Sequence, residues 1–379
     1  MTTSSSLQAA EASAASGSVS SAIPATMRAA VYRGVNDVRV ETVPVPQIEA
    51  GEVLIRVHAC GICGTDLKKI HTGSHSAPRI FGHETSGSIV AVGAGVEGFA
   101  VGDRVMVFHH IPCGACYYCR KKTFAQCSVY KKVGCTAGFE PSGGGFAEYV
   151  RVMDWIVKRG LVKVPDGVPF EQAAFVEPVN TCLKAIKNLH LEADETVLVL
   201  GQGSIGIILA ALAARTGATV FTSDFYAERH ATAAKFGLRH PIDAGKQDAV
   251  AMVKAATEGR GADVVILAVG VDALIKTAIE AVRPGGRVLL FAQTQHGEAP
   301  FDPAAVCMDE KDLLGSYSAS VEIQDEGAQL VFDGYQNGFD LTQLISHRFS
   351  LEEAVEAIDV ASNPTASSMK IFIEPGGAA

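Results

Sequence analysis

Basic residues are scarce relative to acidic ones in this chain: 32 Lys and Arg stand against 41 Asp and Glu, for a formal net charge of -9. A general nucleic-acid surface needs clustered basic side chains that replace phosphate counterions, so this balance argues against a nucleic-acid partner. Cysteine is also too scarce for a disulfide scaffold, with nine residues in a chain of 379. The grouping of these cysteines is more informative than their number.

Targeting and membrane signals are missing as well. Residues 1–26 are mostly Ser, Ala and Thr and have no Arg, no basic region and no apolar core, so they fit neither a secretory signal nor a transit peptide. We expect a disordered tail there. The uncharged run from Val197 to Ala214 has 18 residues, the lower limit for a membrane span, but several glycines interrupt it. We therefore predict no membrane partner and a cytoplasmic location.

The chain is long enough for two domains, and its residue pattern changes along its length. From Met27 to about Tyr149 it is Val-rich, with short alternating runs typical of strands. From Glu171 onward, strand-like runs alternate with Ala-rich helical stretches, which predicts a parallel sheet covered by helices on both faces. We predict an α/β protein with a mostly-β domain over 27–180, completed by 320–379, and a doubly wound Rossmann domain over 181–319.

A glycine-rich motif, GQGSIG, follows the apolar run TVLVL and opens a helical stretch. In this context glycines permit a tight turn and close approach of a pyrophosphate, while the helix N-terminus supplies N–H groups. Asp224 ends the next strand-like run, where a carboxylate can bind ribose hydroxyls and disfavour a 2′-phosphate, which favours NAD over NADP. The alternative is a tight turn with no ligand and a surface Asp. The residues predicted to contact the cofactor are Gly201, Gly203, Ser204, Ile205, Gly206, Asp224 and Arg229.

Four cysteines form a C-x2-C-x2-C-x7-C cluster: Cys113, Cys116, Cys119 and Cys127. Four thiolates at this spacing predict a closed, tetrahedral structural zinc site. An iron–sulfur cluster also uses four cysteines, but the spacing differs from ferredoxin runs. A zinc knuckle that binds nucleic acid would have the same ligands, although few basic residues lie nearby. Four unrelated loop cysteines are the remaining alternative, which this close spacing disfavours. The predicted role of this zinc is stability.

Two further segments, GICGTD and GHE, contain the side chains of an open metal site. A thiolate from Cys63, an imidazole from His83 and a carboxylate from Glu84 can hold zinc and leave a position for substrate. Other interpretations stay open at this point. His83 is also typical of a core histidine, Glu177 of a residue at a helix start, and Cys60 with Cys63 of a redox pair or half a zinc ribbon.

The run GHETSGSIVAVG resembles the signature of zinc-containing alcohol dehydrogenases of the medium-chain dehydrogenase/reductase superfamily. The resemblance extends from about Met27 to Pro375 and is strongest with the polyol branch, the sorbitol and iditol dehydrogenases. It implies a GroES-like catalytic domain, two zincs, NAD and a homotetramer or dimer paired through the Rossmann sheet edge. It also implies a catalytic zinc on Cys63, His83 and Glu84, with Glu177 as a fourth or exchanging ligand. It leaves Cys60, Cys135, Cys182 and Cys307 without a ligand role, and we expect them to be buried thiols.

The resemblance further implies a mechanism: zinc lowers the pKa of a substrate hydroxyl, Thr65 accepts its proton, and hydride passes to NAD. Many relatives end the proton relay on a histidine five residues after the cysteine ligand, where this chain has Lys68; His71 is an alternative end. For a polyol, Tyr149, Arg151 and Glu177 are candidate hydroxyl partners. The predicted catalytic residues are Thr65, Glu84 and Glu177. A dehydrogenase of a polyol phosphate or amino alcohol, or a non-catalytic zinc and dinucleotide sensor, would fit the same motifs.

Overall fold

The computed structural model describes residues 23–130 and 134–376. The predicted disordered tail over 1–26 therefore lies mostly outside the described residues. Its last residue, Thr26, already belongs to the first strand.

Strands dominate the first 165 residues, as the alternating Val-rich runs predict. The strand over Tyr149–Val152 shows this alternation, since Val150 and Val152 are buried while Tyr149 and Arg151 are only partly buried. The strand over Val53–Gly61 buries most of its residues. The elements of this part are β1 (Thr26–Gly34), β2 (Asp37–Pro44), β3 (Val53–Gly61), α1 (Gly64–Thr72), β4 (Glu84–Val92), β5 (Arg104–Val107), α2 (Tyr117–Arg120), β6 (Tyr149–Val152), α3 (Asp154–Gly160) and β7 (Leu161–Lys163).

Strands and helices then alternate, as the alternating strand-like and Ala-rich runs from Glu171 onward predict. The elements are α4 (Phe170–Ala174), α5 (Val176–Leu189), β8 (Thr196–Leu200), α6 (Ser204–Ala214), β9 (Thr219–Asp224), α7 (Ala227–Lys235), β10 (His240–Asp243), α8 (Ala249–Ala256), β11 (Ala262–Leu267), α9 (Leu274–Ala281), β12 (Val282–Leu290), α10 (Ala304–Cys307) and β13 (Asp312–Gly315). The last part contains α11 (Gln324–Gly334), β14 (Ile345–Ser350), α12 (Ala354–Ser362) and β15 (Lys370–Glu374).

Strands β8 to β13 form one parallel sheet in the order β10-β9-β8-β11-β12-β13. This is the doubly wound order, and the strand order reverses between β8 and β11. Dinucleotides bind at such a reversal, outside the carboxyl ends of the strands. The α/β fold class and the parallel sheet are confirmed.

The remaining strands build a seven-stranded sheet, with the path β14-β15-β3-β4-β5-β7 and β6 on β3, and a separate β1–β2 hairpin. Strand β15 pairs antiparallel with β3, so the end of the chain joins the sheet of its first part. The residue boundaries of the two domains stay a prediction.

The uncharged run from Val197 to Ala214 contains strand β8, the glycine turn and helix α6. Helix α6 is buried over most of its length, which explains its lack of charge. Within residues 23–130 and 134–376, none of the helices has both the length and the apolar character needed to cross a membrane.

Candidate active site and cofactor site

Strand pairing brings the two metal-ligand segments together. Cys63 is the N-cap of α1, directly after β3, and Glu84 begins β4. Strands β3 and β4 are antiparallel with Gly61 opposite Glu84, so both segments lie at one end of the pair. A Cβ on Gly61 would lie 2.2 Å from Glu84 Oε2, so only glycine leaves room for that carboxylate. One ligand atom each from Cys63, His83 and Glu84 lie within 4.8 Å of one another.

Asp66 orients the imidazole of His83. Its buried carboxylate lies 3.0 Å from His83 Nδ1, which leaves Nε2 free to bind a metal. Burial lowers the pKa of His83, but the charges of Asp66 and Cys63 outweigh burial and raise it well above its usual value. Because these negative charges favour a positive charge at this position, the site suits a metal cation. The role of Asp66 was not predicted, although it follows Cys63 by three residues within GICGTD.

Lys370 neutralises Glu84 from the far end of the sequence. Its ammonium nitrogen lies 2.7 Å from Glu84 Oε1 and 2.5 Å from Oε2, and both side chains are buried. Burial lowers the pKa of Lys370, yet the charges of Glu84 and Cys63 raise it overall, so Lys370 stays protonated. The position follows from the pairing of β15 with β3 and has no signal in the local sequence.

Glu177 and Thr65 complete the wall around the three ligands. Glu177 lies in the first turn of α5. Burial, with a smaller contribution from Glu84, raises the pKa of Glu177 to about 7 against the opposing charge of His83. The Thr65 hydroxyl lies 3.3 Å from Cys63 Sγ and 3.4 Å from His83 Nε2. Thr65 therefore contacts two of the ligands, whereas Glu177 lines the same cavity without being one of the three clustered ligands.

A cavity of about 340 Å³ opens onto this cluster. His109 and His110 line it, and His110 Nδ1 lies 3.2 Å from Glu177 Oε1. Burial holds the pKa of both histidines well below its ordinary value, so both are neutral imidazoles that can bind hydroxyl groups. Residues from the parallel-sheet half, including Ile205 and Thr294, also line this cavity. The cavity thus lies between the metal ligands and the parallel-sheet half of the chain.

Four other candidates lie outside this cavity. Tyr149 and Arg151 do not line it, and Arg151 binds Glu52 instead, with Nε 2.7 Å from Oε2. Strand β6 pairs with β3 away from the metal end, which explains why these predicted substrate contacts are wrong. His71 is bound to Asn36 and Ser362. Lys68 lines a neighbouring cavity, where its ammonium donates to the carbonyl oxygen of Thr294.

The four-cysteine cluster forms a separate lobe. Its four sulfur atoms lie within 4.8 Å of one another, and none is in a disulfide. The N–H of Cys116 donates to Cys113 Sγ at 3.3 Å, and the N–H of Cys113 donates to Cys127 Sγ at 3.4 Å. Burial raises the pKa of Cys127, but backbone N–H groups outweigh it and lower the value to about 6. Four cysteine sulfurs grouped this closely without a disulfide fit a closed structural zinc site.

The remaining cysteines differ in exposure. Cys60, Cys135 and Cys182 are buried, as expected for packing residues, and Cys60 Sγ contacts the Thr85 hydroxyl at 3.4 Å. Cys307 was also expected to be buried, but that prediction is wrong. It ends the short helix α10, which buries none of its residues, and its thiol is exposed.

The glycine turn between β8 and α6 has the geometry of a phosphate cradle. Gly201 has a φ of +99°, and a Cβ on Gly206 would lie 1.9 Å from the Gly201 carbonyl oxygen. Packing therefore requires both glycines. A Cβ on Gly203 would meet nothing within 4 Å, so its side of the turn is open above the first N–H groups of α6, which begins at Ser204. This open side fits the approach of a pyrophosphate.

Asp224 lies at the carboxyl end of β9, beside this turn. Its carboxylate accepts hydrogen bonds of 2.8 Å from the N–H groups of Gln202 and Phe225. Arg229 Nη1 lies 3.3 Å from Asp224 Oδ2, so a guanidinium stands next to the carboxylate. The site offers a ribose both a hydrogen-bond acceptor and a nearby cation.

Two family models match the chain. The alcohol dehydrogenase GroES-like domain matches residues 49–166, and the zinc-binding dehydrogenase matches residues 204–333. These ranges contain the four-cysteine lobe, three of the ligand positions around the cavity and most of the parallel sheet.

Whole-length similarities agree with these models. The chain is 30% identical to sorbitol dehydrogenase of Bacillus subtilis over 93% of its own length and 98% of that protein. It is 31% identical to galactitol 1-phosphate 5-dehydrogenase of Escherichia coli K12, over 86% and 94% of the two chains. Among solved structures, an NADP-bound zinc-binding dehydrogenase from Sinorhizobium meliloti has a TM-score of 0.82 at 30% identity, over 93% of this chain and 100% of that one.

Proposed function

Because this chain belongs to the zinc-dependent alcohol dehydrogenase family, we propose that it oxidises a secondary alcohol carbon of a polyol and transfers hydride to NAD. The observation that carries this proposal is the cavity between the Cys63, His83 and Glu84 cluster and the parallel-sheet domain. At such a boundary a metal-activated hydroxyl and a nicotinamide can meet. The sorbitol dehydrogenase similarity supports a polyol.

Cys63, His83 and Glu84 would hold the catalytic zinc, with Glu177 as a fourth or exchanging ligand. When bound there, zinc acts as a Lewis acid that lowers the pKa of a substrate hydroxyl. The protein prepares this site in two ways: Asp66 fixes the imidazole of His83, and Lys370 balances the buried carboxylate of Glu84. The four-cysteine lobe would hold the second, structural zinc.

Thr65 would accept the hydroxyl proton, since its Oγ1 lies within 3.4 Å of His83 Nε2. The next acceptor differs from that of many relatives. Lys68 donates to Thr294 in the neighbouring cavity, and His71 is held by Asn36 and Ser362. With the cofactor bound, water or a ribose hydroxyl would be the next proton acceptor after Thr65. His109 and His110, as neutral imidazoles in the cavity, would bind further hydroxyl groups of the polyol.

NAD is the proposed cofactor because Asp224 places a carboxylate where a 2′-phosphate would be repelled. Arg229 is already paired with that carboxylate, which limits its use as a phosphate partner. The similar Sinorhizobium meliloti protein has NADP bound, so this preference is a property to be measured on this chain. We further propose a cytoplasmic homo-oligomer, a dimer or tetramer, paired through an edge of the parallel sheet.

A panel of sugar alcohols tests the proposal. Zinc-loaded protein with NAD is expected to produce NADH, measured by absorbance, with hexitols and other polyols that have a secondary hydroxyl. Threonine serves as the amino-alcohol comparison and is expected to react more slowly. If threonine is oxidised and no polyol is, the polyol assignment is wrong.

A further inference from the structure

A second cavity, of about 1250 Å³, adjoins the zinc cavity. Four residues line both cavities: Phe291, Thr294, Ser316 and Tyr317. They follow strands β12 and β13, at the carboxyl edge of the parallel sheet. A substrate with one end at the metal ligands can therefore extend past these residues into the second cavity.

Lysines dominate the charged lining of this second cavity. Lys68, Lys122, Lys184 and Lys187 line it, and Glu322 is its only acidic residue among the described part of the chain. The protein as a whole has a net charge of -9, so this cavity is a locally positive region in a negatively charged protein. Clefts lined by one sign of charge concentrate ligands of the opposite sign.

Two of these lysines already have carboxylate partners. Lys122 Nζ lies 3.0 Å from Glu322 Oε1, and Lys187 Nζ lies 2.8 Å from Glu326 Oε1. These pairs are exposed and contribute little attraction for a further anion.

Lys184 and Lys68 are different. Within the described residues, neither has a carboxylate among the ion pairs of the chain, and each donates only to backbone carbonyl oxygens. Lys184 donates to Tyr317 at 2.8 Å and to Ser318 at 3.2 Å, whereas Lys68 donates to Thr294. Lys184 is half-buried, and burial lowers its pKa. An anion beside it would compensate this partly buried charge.

Helix α5 sets the distance between the two ends of a substrate. Glu177, Thr181 and Lys184 follow one another at four and then three residues, so they share one face of the helix. The first two line the zinc cavity and the third lines the second cavity. Seven residues of helix correspond to about 10 Å along its axis. Lys184 is therefore placed to contact a substrate group that lies several carbon atoms from the hydroxyl that is oxidised.

We propose that the second cavity binds an anionic group of the substrate, a phosphate or a carboxylate, through Lys184 and Lys68. This inference rests on the proposed alcohol oxidation and narrows its substrate to a polyol with a charged group at the end away from the oxidised carbon. The inference rests on charge and position. Among the residues that the structure describes, Lys184 and Lys68 have no carboxylate partner, and they contact Tyr317 and Thr294, which line both cavities.

Three matched substrates test this proposal with zinc-loaded protein and NAD: sorbitol, sorbitol 6-phosphate and gluconate. The phosphate is expected to have a KM at least about tenfold below that of sorbitol, because charged hydrogen bonds are the strong ones. In Lys184→Gln the ratio of these KM values should fall to near one. The matched control Lys187→Gln removes a lysine already paired with Glu326 and should leave the ratio within about twofold.

Gluconate separates the two kinds of anion. A KM below that of sorbitol for both charged substrates assigns a site for anions in general. A lower KM for the phosphate alone assigns a phosphate site. Both results support the proposal. Equal KM values for all three, or a preference that survives Lys184→Gln and Lys68→Gln, would overturn it.

Calorimetry separates this proposal from the proposed reaction. If no substrate yields NADH, binding of sorbitol 6-phosphate to the NAD-loaded protein is measured directly. Binding that Lys184→Gln abolishes supports the anion site even though the reaction assignment fails. No binding, or binding that is the same in the variant, overturns the anion site.

Discussion

Replacing Thr65 by alanine is expected to slow NAD-dependent alcohol oxidation by about 10²- to 10⁴-fold, the usual contribution of a positioned acid–base group. The hydroxyl of Thr65 lies between Cys63 Sγ and His83 Nε2, but the side chain is not itself one of the three clustered ligands. The loss should therefore appear in kcat, measured from initial rates, while the zinc content is unchanged.

Thr65→Ser is the matched control, since it keeps a hydroxyl at the same position. It should retain most of the turnover that Thr65→Ala loses. Unchanged turnover in the alanine variant would remove Thr65 from the proton path. Loss of zinc in that variant would instead show that Thr65 supports the ligands.

Replacing Asp224 by alanine is expected to lower kcat/KM for NAD by about 100-fold, because charged hydrogen bonds to the ribose hydroxyls are lost. The same change frees the guanidinium of Arg229, now 3.3 Å from the carboxylate, to meet a 2′-phosphate. The preference for NAD over NADP should therefore shrink or reverse. Steady-state kinetics with both cofactors measures the change.

Asp243 provides the matched control for this experiment. It ends the neighbouring strand β10 and stands directly opposite Asp224 in the parallel register, but its partner is the exposed Lys246. Asp243→Ala should leave the cofactor preference intact. If wild-type protein already prefers NADP, or if Asp224→Ala leaves the preference unchanged, the ribose assignment of Asp224 is wrong.

The parallel sheet and the glycine turn could be predicted because their signals are local. Strand β8, the GQGSIG turn and helix α6 are contiguous, and each apolar run matches one element. The four-cysteine lobe is similar, since its four sulfurs come from 15 consecutive residues, 113–127.

The catalytic cluster could not be predicted from local patterns, because its ligands meet through strand pairing. Cys63 and His83 are separated by helix α1 and a loop, and only the β3–β4 register brings them together. Family resemblance supplied these ligands. Lys370 was missed, since 286 positions separate it from Glu84.

The wrong predictions have the same origin. Arg151 was a candidate for substrate binding, but its side chain is bound to Glu52. His109 and His110 were not among the predicted site residues, yet the fold places both in the cavity. Side-chain direction in a sheet depends on the partner strand, which the local sequence does not contain.

Zinc content per chain tests the central claim, an open catalytic metal site beside a closed structural one, most directly. Elemental analysis of purified protein should find two zincs per chain in the wild type and one in Cys63→Ser, whose polyol oxidation should be lost. The four-cysteine lobe should keep its zinc in that variant. A single zinc in the wild type, retained in full by Cys63→Ser, would contradict the catalytic site and leave only the structural lobe.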